Sequence, residues 1–150
     1  MLVKQILYYT AICALLSACA LLQETKAPQS IEIGFYNVEN LFDTIDAPDK
    51  EDNYFLPSGP TKWDGYRYNK KLKQLQRVYD EMGKPELMGL CEVENAAVVA
   101  DLVHQFDHQL NYVHFESPDV RGIDVALIYS SDLFEIKKKD FVRINFPDSI

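Results

Sequence analysis

Cysteine is scarce in this chain: three in 150 residues, at positions 13, 19 and 91. Only Cys91 lies beyond the first thirty residues, so the body forms no internal disulfide and has to stand on a hydrophobic core. Basic side chains are also in short supply, 15 Lys and Arg against 23 Asp and Glu, for a net charge of -8. That balance excludes strong non-specific attraction to DNA or to anionic membranes over the whole surface and leaves room only for a local basic face. No low-complexity tract and no repeat of solenoid period is present, which excludes disordered and repeat architectures. The apolar run Ile6 to Leu16 falls short of the roughly 20 residues that a membrane span needs. What remains, 47% hydrophobic and 25% charged, is a globular composition with room for one domain at most.

The N-terminal stretch reads as an export signal rather than as part of the fold. Lys4 is its only charge, the apolar run follows, and small residues close it at Leu16-Ser17-Ala18-Cys19. That tetrapeptide resembles a bacterial lipobox, which implies that Cys19 carries acyl chains as the first residue of the mature protein. More than one chain is what stable anchoring requires. Cleavage after Ala20, using Ala18 and Ala20 as the small pair, and an uncleaved anchor are the rival readings. The expected organisation is a signal peptide and lipobox over 1–19, a polar tether over 20–30, and a folded body over 31–150. The expected location is the cell envelope, outer membrane or periplasm, with the membrane reached through the lipid anchor.

In the body, Ile31, Ile33 and Phe35 alternate with Glu32, Gly34 and Tyr36, the period of a strand. Phe42 to Asp64 holds three prolines, one glycine (with Gly65 just beyond) and many carboxylates in a long functional or mobile loop. The spacing of Leu72, Leu75, Val78, Tyr79 and Met82 predicts a helix over 69–82, ended by Gly83 and Pro85. A buried strand over 87–91 and a second helix over about 95–110 follow. Strands over 112–116, 123–129 and 134–144 complete the pattern, the last two as a hairpin through Ser130-Ser131-Asp132. Helices covering a mixed sheet are the expected α/β architecture, with an open edge that needs cover.

Two segments carry chemistry, Phe35-Tyr36-Asn37-Val38-Glu39-Asn40-Leu41-Phe42 and Gly89-Leu90-Cys91-Glu92-Val93-Glu94-Asn95. Each ends a predicted strand, and polar groups ending adjacent strands converge at one rim of a sheet. Carboxylate and amide oxygens together suit a hard cation such as Mg²⁺ or Mn²⁺. Glu39 and Glu94 are weaker site candidates, and Asn95 serves equally as the cap of the second helix. Asp124 alternates with the apolar set of its strand, which favours a surface position over one that orients a site residue.

Asn37-Val38-Glu39-Asn40-Leu41 after one strand and Leu90-Cys91-Glu92-Val93 after the next resemble the endonuclease/exonuclease/phosphatase superfamily. Arg121-Gly122-Ile123-Asp124-Val125-Ala126-Leu127-Ile128-Tyr129 also looks like the following strand of a secreted bacterial lipoprotein branch. The resemblance runs from about Ile31 to Ile144. It implies the N-terminal half of a DNase I-like α/β sandwich, a mixed sheet with flanking helices. It also implies a metal-dependent phosphodiester hydrolase, nuclease or phosphatase, using Mg²⁺ or Mn²⁺. Carried over, Glu92 is the metal-binding glutamate, Asn37 the catalytic amide at metal and phosphate, and Arg121 a substrate-phosphate ligand. The partner is a phosphodiester, with nucleic acid among the candidates, and no obligate protein partner is evident.

The family completes its site with a Gly-Asp-x-Asn and a Ser-Asp-His segment, and neither occurs in the 150 residues. The expectation is therefore a chain that supplies about one of two facing sheets, without the base for the attacking water, and with little activity of its own. The alternative is a non-catalytic surface lipoprotein, a binding module built on half the fold.

Three other clusters compete for attention. His104 and His108 are four apart and lack a third ligand, which favours a solvated pair. Asp43, Asp46, Asp49, Glu51 and Asp52 lack the glycine of a calcium loop, which favours a solvated acidic loop. Lys62, Arg67, Lys70, Lys71, Lys73 and Arg77 interleave with Trp63, Tyr66 and Tyr68. That mixture suits either the exposed face of a helix or a nucleic-acid track.

Overall fold

The structure, a computed structural model, describes residues 30–106 and 109–142. Cys19, the signal and nearly all of the tether lie outside the described residues, as does His108. Four strands and two helices are present among them: β1 (Ile33–Leu41), α1 (Gly65–Glu81), β2 (Leu87–Val93), α2 (Ala96–Phe106), β3 (Leu110–Phe115) and β4 (Asp124–Ser130). The sheet runs in the order β1-β2-β4-β3, with β1 parallel to β2 and β4 antiparallel to both of its neighbours. This is the mixed α/β sheet with flanking helices that the sequence predicts.

Both helices cover one face. Tyr68, Leu72, Leu75 and Tyr79 of α1 pack with Val98, Val99 and Leu102 of α2 onto Val38, Met88, Leu90, Ala126 and Ile128. The stripes at three- and four-residue spacing are what make these segments helices with a buried side. Asp64 starts α1 four residues before the expected boundary, because its side chain accepts the Arg67 amide as an N-cap. Asn95 caps α2 in the same way, accepting from the amides of Ala97 and Val98. Tyr68 ties the helices together by donating to Asp101 at 2.8 Å.

Among the described residues the other face is largely open. Ile33 is 75% exposed and Phe35 69%, and Val125 and Leu127 are exposed beside them. Phe35 lies across the neighbouring strand at Gly89, where a β-carbon would come within 2.9 Å of the ring. Part of this face is crossed by residues 135–140, and Phe141 meets Phe115 edge-on.

Two expectations fail. Residues 134–142 form no strand, and no hairpin with β4 exists, because β4 is already hydrogen-bonded on both sides by β2 and β3. The long loop is present as expected and is tied down by aromatic contacts. A 3-10 turn at Asn53–Phe55 stacks Phe55 on Phe42 at 4.2 Å, and the Trp63 indole donates to the Phe42 carbonyl at 2.8 Å.

Candidate active site

β1 and β2 end side by side at one rim, and both ladders break there. The β1–β2 register shifts between Asn37 and Leu41, and the β2–β4 register shifts between Cys91 and Val93. At these breaks Glu39, Asn40 and Glu92 adopt φ of 53°, 65° and 66°, the left-handed region. Such conformations cost non-glycine residues about 1–3 kcal/mol each and gather at functional sites, where a bulge re-aims a side chain. Here the re-aimed group is Glu92. Its Oε1 accepts from Asn37 Nδ2 at 2.9 Å, while Asn37 Oδ1 accepts the Glu39 amide at 2.7 Å. Asn37 is thus held from below by the bulge and holds the glutamate in turn.

Lys71 of α1 reaches the same rim. Its ammonium donates to the Glu39 carbonyl at 2.5 Å and the Asn40 carbonyl at 3.3 Å. Half-burial pushes the Lys71 pKa down, and the charges of Glu39 and Glu92 oppose that shift. In sequence Lys71 belongs only to a basic cluster, since no spacing rule links it to a strand thirty residues away.

Arg121 lies within the electrostatic reach of Glu92. Its guanidinium is engaged by Asp119 through two bonds, Nε to Oδ1 at 3.1 Å and Nη2 to Oδ2 at 2.7 Å. That pair holds the Asp119 carboxyl down at about 2, led by the hydrogen bonds from Arg121.

Behind the rim sit three buried carboxylates. Glu94 accepts the Asp43 amide at 2.6 Å, and burial, with Asp43, Asp52 and Asp124 nearby, pushes its pKa up to about 7. Asp52 is buried and accepts the Ala47 amide at 2.9 Å, so the acidic loop is not simply solvated. Asp124 is fully buried, accepting from the Ser117 amide at 2.7 Å and pairing with His114 Nε2 at 2.8 Å. The surface reading of Asp124 is therefore corrected. Its strand is apolar on both faces, so alternation could not say which face turned inward. His114, Glu116 and Asp124 bring their ligand atoms within 4.8 Å of one another, the one such metal-capable group among the described residues. His104 is exposed on α2, and with His108 outside the described residues the pair is not placed.

A sequence model of the Endonuclease/Exonuclease/phosphatase family matches residues 32–149. The chain belongs to that family. Neither curated proteins nor solved structures give a significant match to it. The matched span contains both bulged strand ends, so the Asn37–Glu92 pair lies on the family's own framework in this endonuclease/exonuclease/phosphatase chain.

Proposed function

We propose that this chain carries the metal- and phosphate-holding part of a Mg²⁺- or Mn²⁺-dependent phosphodiester hydrolase. The observation that supports the reading most is Glu92, re-aimed by a left-handed backbone and fixed through one oxygen by Asn37. Among the described residues its other oxygen makes no hydrogen bond, and a single carboxylate with waters and substrate phosphate is a donor set that suits Mg²⁺. When bound, such a cation polarises a phosphoryl oxygen and offsets the charge that builds up in the transition state.

The protein's own groups do the positioning. Glu92 would hold the cation, and Asn37 sets the orientation of Glu92 and presents its second amide hydrogen to the substrate. Arg121 would exchange Asp119 for a substrate phosphate, whose two oxygens match the same fork. Lys71 adds positive charge beneath the rim. Residues 1–19 serve as a lipoprotein signal with Cys19 acylated, a reading supported by the apolar run and Leu16-Ser17-Ala18-Cys19. That would place the site in the cell envelope.

The test is hydrolysis of bis(p-nitrophenyl) phosphate by the 150-residue chain with Mn²⁺ or Mg²⁺. A slow, metal-dependent rate that disappears in Glu92→Ala is expected, slow because the groups named above hold metal and phosphate and none of them acts as general base, a role worth about 10²–10⁴-fold. Hydrolysis indifferent to Glu92→Ala or to chelation, or none at any metal concentration, would overturn the proposal.

A further inference from the structure

Between the edge strand β1 and the helix α1 runs a groove of about 590 Å³, and apart from Glu39 and Lys71 its lining has no part in the rim chemistry. Tyr36 and Val38 line it from the strand, Trp63 and Tyr66 supply aromatic surface, and Arg67 and Lys70 supply charge. It opens toward the site, since Glu39 and Lys71 belong to both. Beyond Tyr66 and Lys70 a smaller hollow continues along α1 past Lys73 to Arg77.

The spacing of this strip is helical. Tyr66, Lys70, Lys73 and Arg77 fall at i, i+4, i+7 and i+11, so they stand on one face for about 16 Å. Among the described residues no carboxylate lies within salt-bridge distance of Arg67, Lys70, Lys73 or Arg77. On a protein with a net charge of -8, an uncompensated row of cations is a local reversal of sign. Ordinary solvated lysines would account for the charge. They do not account for Tyr66, which is 75% exposed beside Trp63 at the mouth of a concave channel. An aromatic ring held in water next to cations offers a stacking platform.

We infer that this groove binds single-stranded nucleic acid, with phosphates along Lys70, Lys73 and Arg77 and a base stacked on Tyr66. Charge complementarity selects a polyanion, and the exposed ring selects one with flat, unstacked faces. An anionic membrane fits less well. The apolar stripe of α1, Tyr68, Leu72, Leu75 and Tyr79, is buried in the core, so the exposed side has no wedge to insert into lipid. The inference rests on the phosphodiester reading of the rim for its biological purpose, because the groove would lead a strand to Glu92. The binding itself is independent of hydrolysis.

The experiment is fluorescence anisotropy of the 150-residue chain with labelled oligothymidylate in EDTA, titrated over a range of salt. Inorganic polyphosphate competition and phosphatidylglycerol vesicle sedimentation run in parallel. The oligonucleotide is expected to bind best, and Tyr66→Ala to weaken it about ten-fold without changing polyphosphate binding. Reversing Lys70, Lys73 and Arg77 to Glu should flatten the logarithmic salt slope by about 2, near 0.7 per phosphate contact. Lys137→Glu with Lys138→Glu, an equal kind of charge change elsewhere, should do neither. Preference for vesicles or polyphosphate, or indifference to Tyr66→Ala and to the triple reversal, overturns the inference. Oligonucleotide binding with no diester hydrolysis would instead leave the groove standing and remove the catalytic reading. Hydrolysis of the small diester without oligonucleotide binding does the reverse.

Discussion

Asn37 Nδ2 lies 2.9 Å from Glu92 Oε1, joining residues 55 apart in sequence across the ends of two parallel strands. The bond matters because Asn37 is fixed by its own strand through the Glu39 amide, whereas the Glu92 carboxylate makes no other hydrogen bond among the described residues. Both sit where the ladder breaks, and Glu92 depends on Asn37 for a single orientation.

That dependence predicts unequal losses of metal affinity. Asn37→Ala should weaken Mn²⁺ binding about 10–100-fold, the usual cost of removing a group that orients a ligand. Glu92→Ala should abolish measurable binding. Paramagnetic relaxation of water protons reads both, and equal, small effects would separate Asn37 from the site.

The pair was legible in the sequence because its residue types end two strands that are easy to recognise. Their conformation was not. A strand reading stops β1 near Tyr36, whereas the chain runs on to Leu41 through two left-handed residues. Asp64 and Gly65 held the signal for an earlier helix start, but the hydrophobic stripe alone begins later. The missing hairpin had no local signal, since only the strand order shows that both flanks of β4 are taken. Lys71 and the buried carboxylates were out of reach for a related reason: their partners come from loops and strands distant in sequence.

Glu94 gives a pH signature. Its folded pKa of about 7 exceeds the ordinary carboxyl value of 4.5, so the folded state holds a proton that the unfolded state has released. The stability this contributes is complete below about pH 4.5 and is lost as pH rises through 7. Glu94→Gln keeps an acceptor for the Asp43 amide and should melt higher than the parent at pH 8, with little difference at pH 5. A thermal melt series showing the same gap at both values would refute it.

Asp124 should be among the most sensitive positions in the chain. Replacing it with Ala strands the Ser117 amide and the buried His114 side chain together, at a cost of about 2–4 kcal/mol. Urea denaturation would show this as a lower midpoint at unchanged slope. A shift comparable with that of an exposed substitution would mean the His114–Asp124 pair contributes little.

If Arg121 takes a substrate phosphate as proposed, Asp119 is its competitor. In Asp119→Ala the fork is released, and inorganic phosphate should bind several-fold more tightly by titration calorimetry. The gain should vanish when Arg121→Ala is added. Tighter binding that persists in the double variant would assign the phosphate to another cation.

The strand order has a kinetic consequence. β3 and β4 meet through near neighbours in sequence, such as Phe115 with Val125, while β1 must find β2 across a whole helix and two loops. Closing the longer loop is entropically dearer and is repaid only once the strand has docked. Among the described residues β1 also lies at the sheet edge with a single partner, so it is the strand to arrive last and to detach first. Its amides should exchange with solvent before those of β4. In that opened form the other three strands would persist while Asn37 has left Glu92, so a molecule that still looks folded by helix content would have lost its site.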